Sequence, residues 1–197
     1  MKSKTISPVR MTVTAIFASL FCVCAWIAVP NPFGGAMFTM QTFAILLAGL
    51  MLTPLDAALA GLVYFLLGLA GLPVFSGGVT MYQRLFTPFG GYIIGFFIAP
   101  FVVSLVKTQL MNPLSGSDNP AKARGLKLAV YLLSAVIVGT LVIDTAGIIQ
   151  FRLMTGMDWS HIIFTGAIVF LPTDIIKALL AVILAAALEK PLKHFYK

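Results

Sequence analysis

Ala57-Ala-Leu-Ala-Gly-Leu-Val-Tyr-Phe-Leu-Leu67 decides the class of fold. The run carries no charge and no alternation of polar with apolar residues. A membrane-spanning β-strand alternates at period two, so this stretch reads as a helix. The same character extends outward from it. Of 197 residues, 60% are hydrophobic and 10% charged, whereas a soluble domain is about half apolar and about a quarter charged. So little charge cannot clothe a surface in water, and hydrocarbon must be the solvent for most of the chain. A membrane helix takes about 20 apolar residues, and the apolar stretches supply roughly six. The expected fold is an all-α integral membrane protein. It is a single bundle of six transmembrane helices with irregular extracellular loops, in one domain over residues 1–197.

Turn chemistry divides the chain. The first helix is expected over about 11–29, ending where Pro30-Asn-Pro32 forbids helical continuation. A Gly- and Pro-rich loop, 30–37, leads to a second helix over about 38–52. In the turn Thr53-Pro-Leu-Asp56, Thr53 is an N-cap and Pro54 takes the first position of a third helix, 54–70. A long Gly-rich segment, 71–88, reads as irregular. A fourth helix over 89–110, a polar loop over 112–123 and a fifth helix over 125–149 follow. Pro172-Thr-Asp174 marks a helix start, with proline in the first turn and a carboxylate at the positive end of the dipole. Residues 172–189 then span about 27 Å at about 1.5 Å each, enough to cross. Residues 158–171 form a short helix or re-entrant piece near one face.

A net charge of +7 in a soluble protein would suggest nucleic acid. Among membrane helices it reads instead as the Lys/Arg excess of cytoplasmic loops, and no nucleic-acid partner is expected. With six crossings, Lys2, Lys4, Arg10, Lys107, Lys122, Arg124, Lys127, Lys190, Lys193 and Lys197 share one side. Arg84 and Arg152 hold the other, and Lys177 lies within the last helix. Both termini are therefore expected in the cytoplasm, and the loops 30–37 and 71–88 outside. Cys22 and Cys24, two apart on a helix, point in different directions and read as small packing residues. The basic start before an apolar run mimics a signal peptide, but no clear cleavage site ends that run, so an uncleaved first helix is expected. The chain has no GxxxxGK[ST] nucleotide loop and no metal-ligand cluster, and His161 and His194 suit no Ser/His protease. A chain of 197 residues also leaves little room for the paired repeats of a secondary transporter.

Irregular backbone at membrane depth survives only when buried in protein or lining a cavity. Two Gly-rich outer loops that meet a charged helix N-terminus therefore point to a pocket opening outward. Charges within spans mark function by default, and Asp144, Asp174 and Lys177 are the candidates. Asp174 and Lys177, three apart, share a helix face. They are either a structural ion pair that eases insertion, or an acceptor for ligand N–H groups beside an amine for a ligand carboxylate. Asp144 is equally a pocket residue or a satisfied core acid. Gln41 orients a ligand or bonds a neighbouring helix, and Arg84 grips an anion or is a solvated loop charge. Trp26, Phe33, Phe38, Phe75, Tyr82, Phe86, Phe89, Tyr92 and Trp159 gather near the outer face, mostly as an interfacial belt. Phe75 and Tyr92 are the candidates to wall an apolar ligand ring. On the first helix Ala15 and Ser19, Ala18 and Cys22, and Cys24 and Ala28 repeat at spacing four. Small residues so placed let another helix approach closely, whether internal or from a partner protein. A reading of another class, a small membrane enzyme using Asp144 and Asp174 as acid and base, rests on those two carboxylates alone.

Four segments carry a resemblance: Gln41-Thr-Phe-Ala-Ile-Leu-Leu-Ala-Gly49, Gly68-Leu-Ala-Gly-Leu-Pro-Val-Phe-Ser-Gly-Gly78, Pro88-Phe-Gly-Gly-Tyr92 and Phe170-Leu-Pro-Thr-Asp-Ile-Ile-Lys-Ala178. In order and spacing they resemble the BioY family, the biotin-binding S-components of energy-coupling-factor (ECF) transporters. The resemblance implies a bundle in the bacterial cell membrane that captures biotin from outside, with no catalysis and no cofactor of its own. It implies docking, through the small residues Ala15, Ala18, Ser19 and Cys22, onto a transmembrane coupling subunit that carries two ATPases. It also implies that Asp174 and Lys177 contact the ureido ring and the carboxylate of biotin, and that residues 30–37 act as a lid. The chain departs from the pattern at Val79, where some members have a polar residue, at Ile93, where some have a basic one, and at Thr87-Pro88-Phe89. A carboxylate that lost a basic partner at position 93 would turn to Arg84. An S-component for another small vitamin-like acid is the alternative these departures leave open.

Overall fold

The computed structural model describes residues 7–33, 36–112 and 120–192. The expectations for Lys2, Lys4, Lys193, His194 and Lys197, for the side chains of Lys122 and Lys190, and for the middles of the loops 30–37 and 112–123 lie outside them. The described chain is mostly helical. Four helical segments are long and apolar enough to cross a membrane: Pro8–Trp26, Gly90–Met111, Ala123–Thr155 and Trp159–Glu189. Two shorter apolar helices, Gln41–Met51 and Pro54–Leu69, pack among them. The protein is a multi-pass membrane protein.

Helix α1 (Pro8–Trp26) opens with proline in its first turn and Ser7 as N-cap, whose hydroxyl accepts the Arg10 N–H at 3.4 Å. It ends at Trp26, short of the expected Val29, because the chain turns extended. Strand β1 (Ala28–Val29) pairs antiparallel with β2 (Phe38–Thr39), with Ala28 opposite Thr39. A residue before proline is pushed out of the helical region, and Val29 before Pro30 joins this ribbon instead. The second helix is correspondingly shorter than expected: α2 is Gln41–Met51. It is buried on nearly every side among α1, α5 and α9, which is why its sequence is apolar all round.

Helix α3 (Pro54–Leu69) begins as expected, Thr53 accepting the Asp56 N–H at 3.3 Å. At this end of the bundle the polar groups interlock. Arg10 donates to both oxygens of the buried Asp56, at 3.0 and 2.8 Å. Lys107 donates to the carbonyls of Leu50 and Leu52, each at 3.0 Å, and Ser104 donates to Leu52 at 2.7 Å. A helix leaves its last carbonyls without intrahelical partners, and two side chains from α5 supply them for α2.

The segment 71–88 is more ordered than its composition suggests. Gly77 and Gly78 take φ of +83° and +70°, a region closed to most side chains, and let Phe75 and Val79 bridge across a tight turn. A five-residue helix, α4 (Met81–Leu85), follows, with the Thr80 N–H held by Gln83 Oε1 at 2.9 Å. This helix was not expected, being a single turn inside a Gly-rich stretch. Helix α5 (Gly90–Met111) lies against the segment after the polar loop. Gly91 makes that possible, since a Cβ there would fall 2.1 Å from the Ala146 carbonyl.

That later segment is longer than expected. It runs from α6 (Pro120–Leu132) through a π-helical stretch, Leu133–Gly139, into α7 (Thr140–Thr155), and ends on Gly156 at φ +69°. Polar residues near its end masked the continuation, yet Gln150 turns inward and donates to the carbonyls of Leu85 and Thr87 at 2.6 and 2.9 Å. The expected short piece before Pro172 is α8 (Trp159–Ile163) and a π turn, Phe164–Ile168. After a two-residue turn, α9 (Leu171–Leu192) begins with Pro172 in its first turn.

Candidate functional site

The start of α9 forms one wall of the site. The Phe170 carbonyl accepts the Asp174 N–H and the Thr173 hydroxyl, each at 2.9 Å, and so orients the first turn. One turn into the helix Lys177 Nζ meets Asp174 Oδ1 at 2.8 Å, with both residues buried. The Thr42 hydroxyl of α2 stands beside the same carboxylate. From α7, Asp144 lies within electrostatic reach of both Asp174 and Lys177. It is buried, and its carboxylate makes no hydrogen bond or ion pair with any described residue. Tyr92 of α5 donates its hydroxyl to the Gly166 carbonyl, its ring centroid 6.2 Å from that of Phe170.

A second part of the lining comes from α2 and the 71–88 segment. Gln41 donates to Tyr64 Oη at 2.5 Å, and Tyr64 donates to the Val74 carbonyl at 3.2 Å. Phe75 lies edge-on against Tyr64 with centroids 5.1 Å apart. Gly68 leaves room for that ring, because a Cβ there would fall 2.2 Å from Phe75. Arg84 donates through Nη2 to the Ser76 carbonyl at 2.5 Å, while its Nε is buried without a partner. Burial lowers the pKa of the guanidinium and the nearby Tyr64 raises it.

Together they line a cleft of about 550 Å³, its open mouth included. Gln41, Phe75, Arg84, Tyr92, Asp144, Asp174 and Lys177 all line it, so five helices and one loop bring together residues up to 136 positions apart (177 − 41). Thr39, Thr42, Phe96, Ile143 and Phe170 line it too, and sequence reasoning did not single them out. Phe170 had a signal, its place in the Phe-Leu-Pro-Thr-Asp motif. Thr42 had the same kind of signal, its place in the Gln41-Thr-Phe motif, but a threonine in an apolar helix is unremarkable until its neighbour is known. Of the three departures from the family pattern, Ile93 and, from Thr87-Pro88-Phe89, Phe89 line the cleft, and Val79 does not. Trp26, Phe33, Tyr82, Phe86 and Trp159 are exposed and stand apart from it.

The small residues of α1 divide between two faces. Ala15 and Ser19 lie exposed on the outside, in line with the exposed Val23 one turn further on. Ala18 is buried in the core, and Cys22 is half-buried with its thiol donating to the Ala18 carbonyl at 3.3 Å.

Chemically, the cleft offers carboxylates to accept N–H bonds, two cations, and aromatic and aliphatic walls. Ligand pockets have this character, mostly apolar with a few placed polar groups. Residues 1–194 match the model of the BioY family. The chain is 35% identical over 189 residues to a probable biotin transporter BioY of Pyrococcus horikoshii, covering 96% of this chain and 98% of that one. It is 29% identical over 187 residues to the biotin transporter BioY2 of Lactococcus lactis subsp. cremoris, covering 95% and 93%. Among solved structures it superposes with a TM-score of 0.78 on the S-component for biotin from an ECF-type ABC transporter. The two are 23% identical and the match covers 94% of this chain and 95% of that one. The S component of another bacterial ECF transporter gives a TM-score of 0.57 at 19% identity, covering 95% and 97%.

Proposed function

The chain belongs to the BioY family, and we propose that it is the biotin-binding, substrate-specificity subunit of an ECF-type importer. The observation that carries this reading is the buried Asp174–Lys177 pair, which faces a cleft rather than lipid, with the unpartnered Asp144 beside it. Buried charges are costly unless they are paired or used, and a ureido-bearing acid supplies both N–H donors and an anion. Phe75, Tyr92 and Phe170 wall the ring system, and Gln41 and Thr42 complete the polar contacts. Ala36 and Met37, which line the cleft, and the adjoining β1–β2 ribbon close over the ligand.

The chain crosses the membrane six times as one domain, with both termini in the cytoplasm, in keeping with the Lys/Arg distribution. The outward stripe of Ala15 and Ser19 on α1 docks on a transmembrane coupling subunit, and two ATPases bound to that subunit supply the energy. Alone, the chain binds and does not hydrolyse ATP. The test is calorimetric titration of the purified protein with biotin. Submicromolar binding is the expected result, and its absence sinks the proposal. Ile93 on the cleft wall favours one second reading, a related acid as ligand, which a panel of labelled vitamins separates from biotin.

A further inference from the structure

Two groups of charge line the cleft, and neither is among the other's electrostatic neighbours. Asp144, Asp174 and Lys177 are neighbours, two carboxyl groups to one amine. Lys177 is already committed to Asp174 at 2.8 Å. A carboxylate entering that cluster finds its one amine taken. Arg84 stands elsewhere, with Tyr64 as its electrostatic neighbour and the Ser76 carbonyl as its partner. A guanidinium presents five donors, and the edge formed by Nε and one hydrogen of Nη2 matches a carboxylate in two parallel bonds. On Arg84 the Nε is buried and unpaired, although a buried polar group without a partner is costly and rare. Ser76 takes one of the two Nη2 hydrogens, which leaves Nη2 a second one to donate. Ile93, the family position where a cation would otherwise stand, is apolar and buried on the cleft wall.

We propose that Arg84 is the residue that selects for the ligand's carboxylate, gripping it through the Nε–Nη2 edge, while the Asp144 and Asp174 carboxyl oxygens accept the N–H donors at the other end. This rests on the biotin reading above and adds the direction in which the ligand lies. The capped turn of α4 is stiffened from within by Gln83, and two bonds from Gln150 tie the segment that carries Arg84 to α7.

The test compares biotin with biotinamide, in which a neutral amide replaces the carboxylate, on wild type, Arg84→Gln and Arg84→Lys. Wild type is expected to prefer biotin. Arg84→Gln should weaken biotin binding roughly 10- to 150-fold, the worth of hydrogen bonds to a charged group, and leave biotinamide within about threefold, so that the preference disappears. Arg84→Lys should recover part of it, since charge returns without the fork. A ratio of affinities does not depend on the folded fraction. The proposal is overturned if Arg84→Gln weakens both ligands equally or neither, or if wild type binds both alike. Wild type that binds neither ligand defeats the biotin reading first, and this one with it.

Discussion

Removing the Asp174–Lys177 pair one charge at a time, and then together, separates what it does for folding from what it does for the ligand. Lys177→Met leaves Asp174 buried with its 2.8 Å partner gone and the Thr42 hydroxyl as its remaining neighbour. Breaking a buried pair in this way costs about 3–5 kcal/mol. Asp174→Asn/Lys177→Met removes both charges in similar volume, and such replacements are often close to neutral for stability. The double variant should therefore melt near wild type, while Lys177→Met melts well below it. Binding behaves differently. Each lost hydrogen bond to a charged group is worth about 1.5–3 kcal/mol, so the double variant should bind biotin at least roughly 10-fold more weakly even though it folds. Thermal unfolding in detergent and calorimetric titration read the two quantities on one preparation. A double variant with wild-type stability and wild-type affinity would refute the reasoning, since the pair would then serve insertion alone.

Three further perturbations test other parts of the site and its supports. Gly68→Ala places a methyl 2.2 Å from the Phe75 ring; overpacking of this kind costs about 1–3 kcal/mol, and titration should show weakened biotin binding as Phe75 shifts into the cleft. Gln150→Leu removes the two bonds that anchor the α4 segment, and stopped-flow measurement should show biotin leaving faster with little change in melting temperature. Arg10→Met leaves the buried Asp56 without its two guanidinium bonds; stability should fall by about 1–3 kcal/mol, discounted because Arg10 is partly exposed, while biotin affinity in the folded fraction stays at its wild-type value.

Much of the architecture was legible because each signal was local. Pro54 and Pro172 in first turns, Thr53 as a cap and uncharged runs of helical length depend on residues a few positions apart, and the structure starts α3 and α9 within a residue of the expected points. The errors have the same cause in reverse. Whether Val29 continues a helix depends on Phe38 waiting across a loop to pair with it. Whether the chain past Ile149 stays helical depends on Gln150 finding carbonyls in a loop more than sixty positions earlier. Neither partner is visible from the sequence neighbourhood.

The site divides along the same line. From the sequence alone came the membrane solvent, the helix starts, and the spacing that puts Asp174 and Lys177 on one face, because a helix dictates neighbours three apart. Only the folded chain decided that Asp144 stands by that pair while Arg84 joins the same cleft with Nε unpaired, and that Ala15 faces outward while Ala18 is buried. Those facts depend on how helices rotate and pack against one another. Packing is settled by contacts between distant segments, to which no single stretch of sequence has access.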